Sequence, residues 1–305
     1  MRTSTPDLLL TASAPAIWGS TYIVTTEFLP GFDPMAVALL RALPAGLLLL
    51  LIARRLPTGI WWLRSLVLGA LNISIFLSLL FVAAYRLPGG VAATVGAIQP
   101  LIVALIAPAL LATRPRMASL LAGLAGIAGV GLLVLGPGAD LDGLGIAAGL
   151  AGAVSMALGN VLARKWQAQV PMLTMTAWQL CLGGLLLVPV VLVSGPALPA
   201  PTAGNLLGLA WLSLVGAALT YALWFRGIGR LSPVAVSSLL FLSPVTAAIL
   251  GWLFLDQALS PPQLAGMAIV AASVWLGTRP EKESGAGRAI AFRKIKRADG
   301  QSSSS

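Results

Sequence analysis

The chain has 305 residues, of which 58% are hydrophobic and only 9% are charged. Because soluble domains carry about 25% charged residues, this composition excludes an ordinary water-soluble globular protein and indicates a polytopic membrane protein. The formal net charge of +10 does not indicate a nucleic-acid partner, because the basic residues lie between apolar runs and in a C-terminal tail.

Ten runs of the sequence are apolar enough to cross a bilayer, which takes about 20 residues of helix. In chain order they are Leu8–Phe28, Met35–Ile52, Ser65–Ala84, Val91–Leu111, Met117–Leu135, Leu144–Leu162, Leu173–Val193, Leu206–Phe225, Val234–Leu255 and Gln263–Gly277. Segments rich in proline, glycine and charge separate them. The sequence therefore predicts an all-α polytopic membrane protein with ten transmembrane helices. The first run lacks a signal-peptide cleavage site, so we expect it to be retained.

The charges between these runs alternate as expected for ten spans with both termini in the cytoplasm. The gaps assigned to the cytoplasm hold most of the basic residues. The gaps assigned to the other face hold one basic residue, Arg86, together with Asp33, Asp140, Asp142 and Asp256. We therefore expect a multi-pass protein of the inner (plasma) membrane. Residues 279–305 are predicted to form a basic, disordered cytoplasmic tail close to anionic headgroups.

Two stretches that lie five spans apart share one pattern. Residues 85–100 read YRLPGGVAATVGAIQP and residues 229–244 read GRLSPVAVSSLLFLSP, and each runs from Arg-Leu to a proline inside a span. Spans two and seven also resemble each other, with Arg41 opposite Gln179 and Gly46 opposite Gly184.

An odd offset of five spans makes the two copies enter the membrane from opposite faces. The pattern therefore predicts two inverted five-helix repeats, residues 1–137 and 138–278, which is the architecture of many secondary transporters. Proline is common in membrane helices, but its paired occurrence at Pro100 and Pro244 favours a hinge at each of these positions.

Polar and aromatic residues inside the spans are the candidates for a substrate site, because polar groups are rare and costly within a bilayer. The substrate-binding candidates are Trp18, Tyr22, Arg41, Asn72, Gln99, Asn160, Trp178, Gln179, Tyr221, Ser237, Ser238 and Phe241. The hydroxyls and amides could instead serve helix packing, and the aromatic rings could belong to interfacial belts.

Arg41 is the strongest of these candidates, because it lies well inside span two and no acidic residue shares that run. Two interpretations stay open. Its side chain could extend towards Glu27 or Asp33 near one membrane face. Alternatively, it could bind a substrate carboxylate, since a guanidinium binds carboxylates through two parallel hydrogen bonds.

The sequence lacks the groups that most other functional classes need. The absence of histidine and the single cysteine, Cys181, argue against a metal site and a disulfide, and no cofactor is predicted. An intramembrane enzyme would need an activated nucleophile or paired carboxylates, which the spans lack. No phosphate-binding loop and no deep carboxylate occur, which predicts a facilitator rather than a pump, with coupling through Glu27 as the alternative.

Several segments resemble the EamA family of the drug/metabolite transporter (DMT) superfamily: AIWGSTYIV, LLRAL, RLPGGVAATVGAIQP and the stretch RLSPVAVSSLLFLSPVTAAILGWLFLDQALSPPQLAGMAIV. The resemblance covers the chain to about Gly277, with Asp256 where the family usually has Glu. It implies ten helices in two inverted repeats and export of small metabolites by alternating access.

The opening WGSTYIV is similar to the YddG-type exporters of aromatic and other amino acids. This similarity makes amino acids the expected substrates. The expected partners are thus amino acids and the lipid bilayer, and we expect a monomer. Efflux of drugs or other metabolites, a channel and a lipid transporter stay open as alternatives on this fold.

Overall fold

The computed structural model describes residues 5–87, 95–112, 117–134, 142–166, 170–195, 200–254 and 260–278. These residues form ten membrane helices, which we number α1 (Thr5–Phe28), α2 (Pro34–Ala53), α3 (Trp61–Arg86), α4 (Gln99–Leu111), α5 (Met117–Val134), α6 (Gly143–Trp166), α7 (Met172–Ser194), α8 (Ala203–Arg230), α9 (Pro233–Phe254) and α10 (Pro261–Thr278). The described residues contain no strand. The prediction of an all-α protein with ten transmembrane helices is confirmed.

Seven of these helices are long and apolar enough to cross a membrane, and α4, α5 and α10 are shorter apolar helices. Some predicted features lie outside the described residues. These are residues 88–94 of the first repeated stretch, Asp140, Asp256, the boundary at residues 137 and 138, and the tail from residue 279.

Helix starts are marked by polar caps in the loops. The Asp33 carboxylate accepts hydrogen bonds from the backbone N–H groups of Met35 and Ala36, at 2.9 and 3.0 Å, at the start of α2. The hydroxyls of Thr202 and Ser232 cap α8 and α9 in the same way. Such caps satisfy N–H groups that the first helical turn leaves without a partner. They fix where the chain re-enters the bundle.

The helices pack in a two-fold pattern that relates the two halves. Helix α2 packs along α7, and α5 packs along α10, so each of these contacts joins equivalent helices of the two repeats. The other main contacts occur in matched pairs: α3–α6 with α8–α1, α4–α6 with α9–α1, and α3–α7 with α8–α2. The fold therefore consists of two inverted five-helix repeats.

Two glycines allow α2 and α7 to approach closely, and they obey the same two-fold symmetry. A Cβ atom on Gly46 would lie 2.5 Å from the backbone nitrogen of Cys181, and one on Gly184 would lie 2.8 Å from the Cα of Leu43. Arg41 and Gln179 lie on these same two helices. The sequence alignment of spans two and seven thus describes a real contact surface, with each repeat supplying one glycine.

Helices α3 and α8 each contain a π-helical segment, at Ala70–Ile75 and Trp211–Leu219. A π-helical turn widens the helix and leaves backbone carbonyls free for other donors. In α3 the carbonyl of Leu71 accepts a hydrogen bond from the Ser155 hydroxyl at 2.7 Å. In α8 the carbonyl of Gly216 accepts side-chain donors from two other helices. These matched irregularities were not predicted from the sequence.

The two repeated prolines each follow an interruption in a helix. Pro100 is in the first turn of α4, directly after a turn at Ala97 and Ile98. Pro244 follows a 3₁₀ turn, Leu239–Phe241, that divides α9 into two α-helical parts. Both prolines thus lie next to an interruption at matched positions of the two repeats.

Matched ion pairs occur at the ends of these helices. Arg86 at the end of α3 pairs with Asp142 just before α6, at 3.1 Å. Arg230 at the end of α8 pairs with Asp7 in the first turn of α1, at 3.2 Å. The backbone N–H of Gly145 and then the Arg86 guanidinium hold the pKa of Asp142 below its usual value. Exposed pairs of this kind contribute little stability, but they join the same two helix pairs in both repeats.

The close approach of α2 and α7 can be tested with Gly184→Ala. The added methyl group would press on the Cα of Leu43, so the backbones must separate. We expect the free energy of unfolding to fall by about 1–3 kcal/mol, measured as a lower thermal midpoint in detergent. Gly123→Ala is the control, because its methyl group meets nothing nearer than 3.5 Å. A Gly184→Ala midpoint equal to that of the parent would contradict this packing.

Candidate functional site

A cavity lies inside the bundle, where residues from both repeats meet. It offers about 110 Å³ to the centres of water molecules, each of which needs roughly 10–15 Å³ on this scale, so it can hold several waters or a small organic solute. Its lining residues are Trp18, Thr21, Tyr22, Thr25, Arg41, Phe76, Leu80, Phe81, Ala84, Gly96, Ala97, Gln99, Met156, Tyr221, Leu240, Ser243 and Pro244.

The cavity is off-centre along the membrane normal. Helices α1 and α3 line it with residues from their second halves, whereas α2 contributes Arg41 from its first half. Since α1 and α3 end at the face where α2 begins, the cavity lies between the middle of the bundle and that face. Its principal walls are α1 on one side and α3 on the other.

Arg41 is buried in the wall of this cavity, with 2% of its surface exposed. Its Nη2 donates a hydrogen bond to the carbonyl of Gly216 at 2.8 Å, and its Nη1 donates to the hydroxyl of Thr21 at 3.2 Å. Its Nε has no hydrogen-bond partner. Across the described ranges no carboxylate pairs with it. The structure thus places a cation inside the bundle without a counter-ion from the described residues.

Gln99 brings a second unsatisfied donor to the same cavity. It is the first residue of α4 and is 4% exposed, and its Nε2 has no hydrogen-bond partner. Buried amide N–H groups in proteins are nearly always paired. Two buried donors on the cavity lining, one guanidinium and one amide, therefore indicate that the cavity suits a ligand with acceptor atoms.

Aromatic rings form much of the remaining wall. The ring of Trp18 lies 5.3 Å from that of Tyr221, and its Nε1 donates to Gly216 and Thr220, at 3.1 and 2.8 Å. Tyr22 and Tyr221 both lie close enough to Arg41 to interact with its charge. Since the polar edge of Trp18 is satisfied, this wall offers an apolar surface beside the charged group.

Five of the predicted substrate-binding residues line the cavity: Trp18, Tyr22, Arg41, Gln99 and Tyr221. The predicted hinge residue Pro244 also lines it, whereas Pro100 does not.

The structure places the other candidates elsewhere. Asn72 donates a hydrogen bond to the side chain of Gln179 at 2.7 Å, and both are fully buried between α3 and α7. Trp178 donates to the carbonyl of Arg55 at the ends of the helices. The Oδ1 of Asn72 is buried without a hydrogen-bond partner, but it does not line the cavity. The contacts between helices at these positions correspond to the packing interpretation of these residues.

The remaining candidates, Asn160, Ser237, Ser238 and Phe241, are not among the residues that line this cavity. Asn160 and Ser237 line a second cavity of about 10 Å³, which is room for roughly one water. Ser238 is buried, and Phe241 packs against Gly126 of α5.

Several lining residues were not among the predicted site, including Thr25, Phe76, Phe81 and Met156. Most of them are apolar, so the rarity of polar groups within a bilayer does not single them out. Spacing could have identified Thr25, because it lies at helical intervals from Trp18, Thr21 and Tyr22 and shares one face of α1 with them.

The place equivalent to the cavity in the second repeat lies between α6 and α8, and it is closed. The indole Nε1 of Trp224 donates to the Asn160 side chain at 3.4 Å, and Arg164 donates to the carbonyl of Ile228 at 2.5 Å. Trp224 is fully buried against Trp18, a cavity residue. One cleft of the symmetric pair is thus open and the other is sealed.

The comparisons with known proteins agree with this fold. The sequence pattern of the EamA-like transporter family matches residues 6–135 and 143–279. A solved structure described as "Crystal structure of protein" superposes with a TM-score of 0.78 at 20% identity, covering 90% of this chain and 97% of that chain.

Three curated relatives illustrate the similarity. Protein PecM of Dickeya dadantii (strain 3937) is 47% identical over 259 residues, covering 84% of this chain and 87% of PecM. The chloroplastic WAT1-related protein At3g02690 of Arabidopsis thaliana is 30% identical, covering 87% and 67% of the two chains. The uncharacterized inner membrane transporter YedA of Escherichia coli (strain K12) is 28% identical, covering 86% and 87%. The chain is an integral membrane protein that belongs to the EamA-like transporter family.

Proposed function

We propose that this protein exports small metabolites, foremost amino acids with aromatic or other apolar side chains, by alternating access. The observation that carries this proposal is the buried guanidinium of Arg41, which lines the cavity and has no carboxylate partner among the described residues. The similarity of the opening segment to YddG-type exporters supports the same substrate class.

A substrate carboxylate would supply the missing partner of Arg41. An unpaired charge within a membrane protein is costly, and such residues are usually kept for ion or substrate binding. A guanidinium carries five N–H donors. Arg41 uses two of them in its hydrogen bonds to Thr21 and Gly216, and its Nε has no partner. Carboxylate oxygens are well matched to such donors.

The aromatic wall would then hold the side chain of the substrate. Trp18 donates to the Gly216 carbonyl that positions Arg41, and its ring contacts that of Tyr221, so the apolar and charged surfaces are adjacent. An amino acid carries its carboxylate and its side chain on the same α-carbon, which fits this arrangement. Aromatic side chains bury large areas against such rings and gain the most from this wall.

Alternating access is supported by the difference between two equivalent clefts. The cavity lined by α1 and α3 has a volume of about 110 Å³, whereas the one beside Asn160 of α6 and Ile228 of α8 has a volume of about 10 Å³. Exchange of these two conformations would open the α6–α8 cleft and close the α1–α3 cleft. The interruptions next to Pro100 and Pro244 are the proposed hinges. Because none of the described residues that line the cavity is acidic, we place transport down the substrate gradient.

The membrane orientation belongs to the same proposal. We place the protein in the inner (plasma) membrane as a monomer in lipid, with both termini and the basic tail in the cytoplasm and no nucleic-acid partner. The halves 1–137 and 138–278 would each act as one repeat. The basic residues between the helices support this orientation, since they concentrate on one face.

The role of Arg41 can be tested by transport of labelled phenylalanine into proteoliposomes. Arg41→Gln removes the charge, so we expect at least a tenfold lower rate of exchange. Arg41→Lys keeps a charge without the paired donors and should retain an intermediate rate. Arg55→Gln, which changes an exposed arginine, is the matched control and should leave the rate unchanged. Wild-type exchange by Arg41→Gln would refute the anchor, and saturable counterflow would exclude a channel.

A stability measurement separates a functional Arg41 from a structural one. If the charge is kept for substrate, Arg41→Met should raise the free energy of unfolding without substrate by about 1 kcal/mol or more, because it removes a buried unpaired cation. Trp18 and Thr220 still satisfy the Gly216 carbonyl. The readout is the thermal midpoint in detergent, and Arg41→Lys, which keeps the charge, should not raise it. A lower midpoint for Arg41→Met would indicate a structural role.

The two-cleft mechanism predicts opposite changes at two reporter positions. In a Cys181→Ala background, Thr25→Cys reports the open cavity and Ser237→Cys the sealed side. Arg164→Ala removes the hydrogen bond to Ile228, so we expect maleimide labelling to become several-fold faster at position 237 and slower at position 25. Faster labelling at both positions would mean general loosening and would contradict alternating access.

A further inference from the structure

We infer that the cavity recognises the carboxylate of its substrate and not the amino group, so that apolar monocarboxylates without an amino group bind at least as well as amino acids. This inference rests on the proposed function, because it assigns the specificity of the same site. It concerns the ammonium group of an amino acid, for which the described lining holds no carboxylate.

The first observation is the charge balance of the lining. Among the described residues that line the cavity, Arg41 alone carries a formal charge and none is acidic. An α-amino group is protonated at neutral pH and carries a positive charge. Binding it would therefore require a carboxylate that the described lining does not provide.

The second observation is that the described acidic residues are engaged or exposed elsewhere. Asp7 pairs with arginines at the end of α8, Asp142 pairs with Arg86, and Asp33 caps α2. Glu27 is exposed near the end of α1. None of these four lines the cavity, so no side chain of the described ranges neutralises a second positive charge there.

The third observation is a second buried hydrogen-bond donor on the lining, in addition to Arg41. Gln99 of α4 has a buried Nε2 without a hydrogen-bond partner. A cation and a neutral donor from two separate helices thus favour acceptor atoms. An ammonium group one carbon away from a bound carboxylate would lie close to these groups and be repelled by them.

The lining tolerates an ammonium group without selecting it. Ser243 and Thr25 carry hydroxyls, and the faces of Trp18 and Tyr221 attract cations weakly. The Thr25 hydroxyl already donates to the carbonyl of Thr21. Amino acids can therefore enter, but their affinity comes from the carboxylate and the side chain.

The test compares three compounds that share a phenyl ring and a short chain. Phenylalanine carries both groups, 3-phenylpropanoate lacks the ammonium, and 2-phenylethylamine lacks the carboxylate. Each competes with labelled phenylalanine in counterflow at neutral pH. We expect 3-phenylpropanoate to reach half-inhibition at a concentration equal to or below that of phenylalanine, and 2-phenylethylamine to need at least tenfold more.

A matched variant identifies the group that discriminates. Gln99→Leu keeps Arg41 and removes the second donor, so half-inhibition by 3-phenylpropanoate should require several-fold more compound, with no change for 2-phenylethylamine. If the amine competes as well as phenylalanine, or if 3-phenylpropanoate fails to compete, the ammonium is the recognised group and the inference is overturned.

A second readout separates this inference from the proposed function. Thermal melting of the purified protein is measured with each compound, without any transport step. A higher melting temperature with 3-phenylpropanoate but not with 2-phenylethylamine supports carboxylate recognition even if phenylalanine is not exchanged, in which case only amino-acid export fails. No stabilisation by 3-phenylpropanoate in either wild type or Gln99→Leu overturns the inference.

Discussion

Arg41 can lie inside the bundle because the carbonyl of Gly216 is free to accept its hydrogen bond. The π-helical segment of α8 widens the helix at this point and gives side-chain donors access to the backbone. Trp18 and Thr220 donate to the same oxygen. One backbone carbonyl thus positions a cation and the adjacent aromatic wall, so the shape of the cavity depends on a local change in helical geometry.

The two repeats share an equivalent helix contact, α3 with α7 and α8 with α2, but different side chains meet there. Where α3 meets α7, the amide Nδ2 of Asn72 donates to Gln179, and both partners are neutral. Where α8 meets α2, a cation meets a carbonyl, and part of its hydrogen-bonding capacity is left over. The contact between α3 and α7 serves packing. The contact between α8 and α2 retains a charge that the described protein groups do not neutralise. The proposed specificity therefore depends on this difference between the two repeats.

Much of the fold and part of the site were predictable, because a bilayer penalises polar groups. The ten apolar runs identified the helices, and the rarity of polar residues within them identified Arg41 and Gln99. Phe76, Phe81 and Met156 were not predictable in this way, since an apolar side chain looks the same in sequence whether it faces lipid, a neighbouring helix or a cavity. The π-helical segments left no signal that we recognised.

The sequence by itself determined the class of protein, the number of helices and the relation between the repeats, since these follow from apolar length, charge placement and spacing. Only the tertiary structure decided which polar residues face the cavity. Asn72 and Gln99 are both amides inside spans, yet Asn72 is paired with a residue from a distant part of the chain, and the Nε2 of Gln99 is left without a partner. Whether a buried donor is satisfied depends on contacts between helices far apart in sequence, and that contact makes one amide structural and leaves the other available to a ligand.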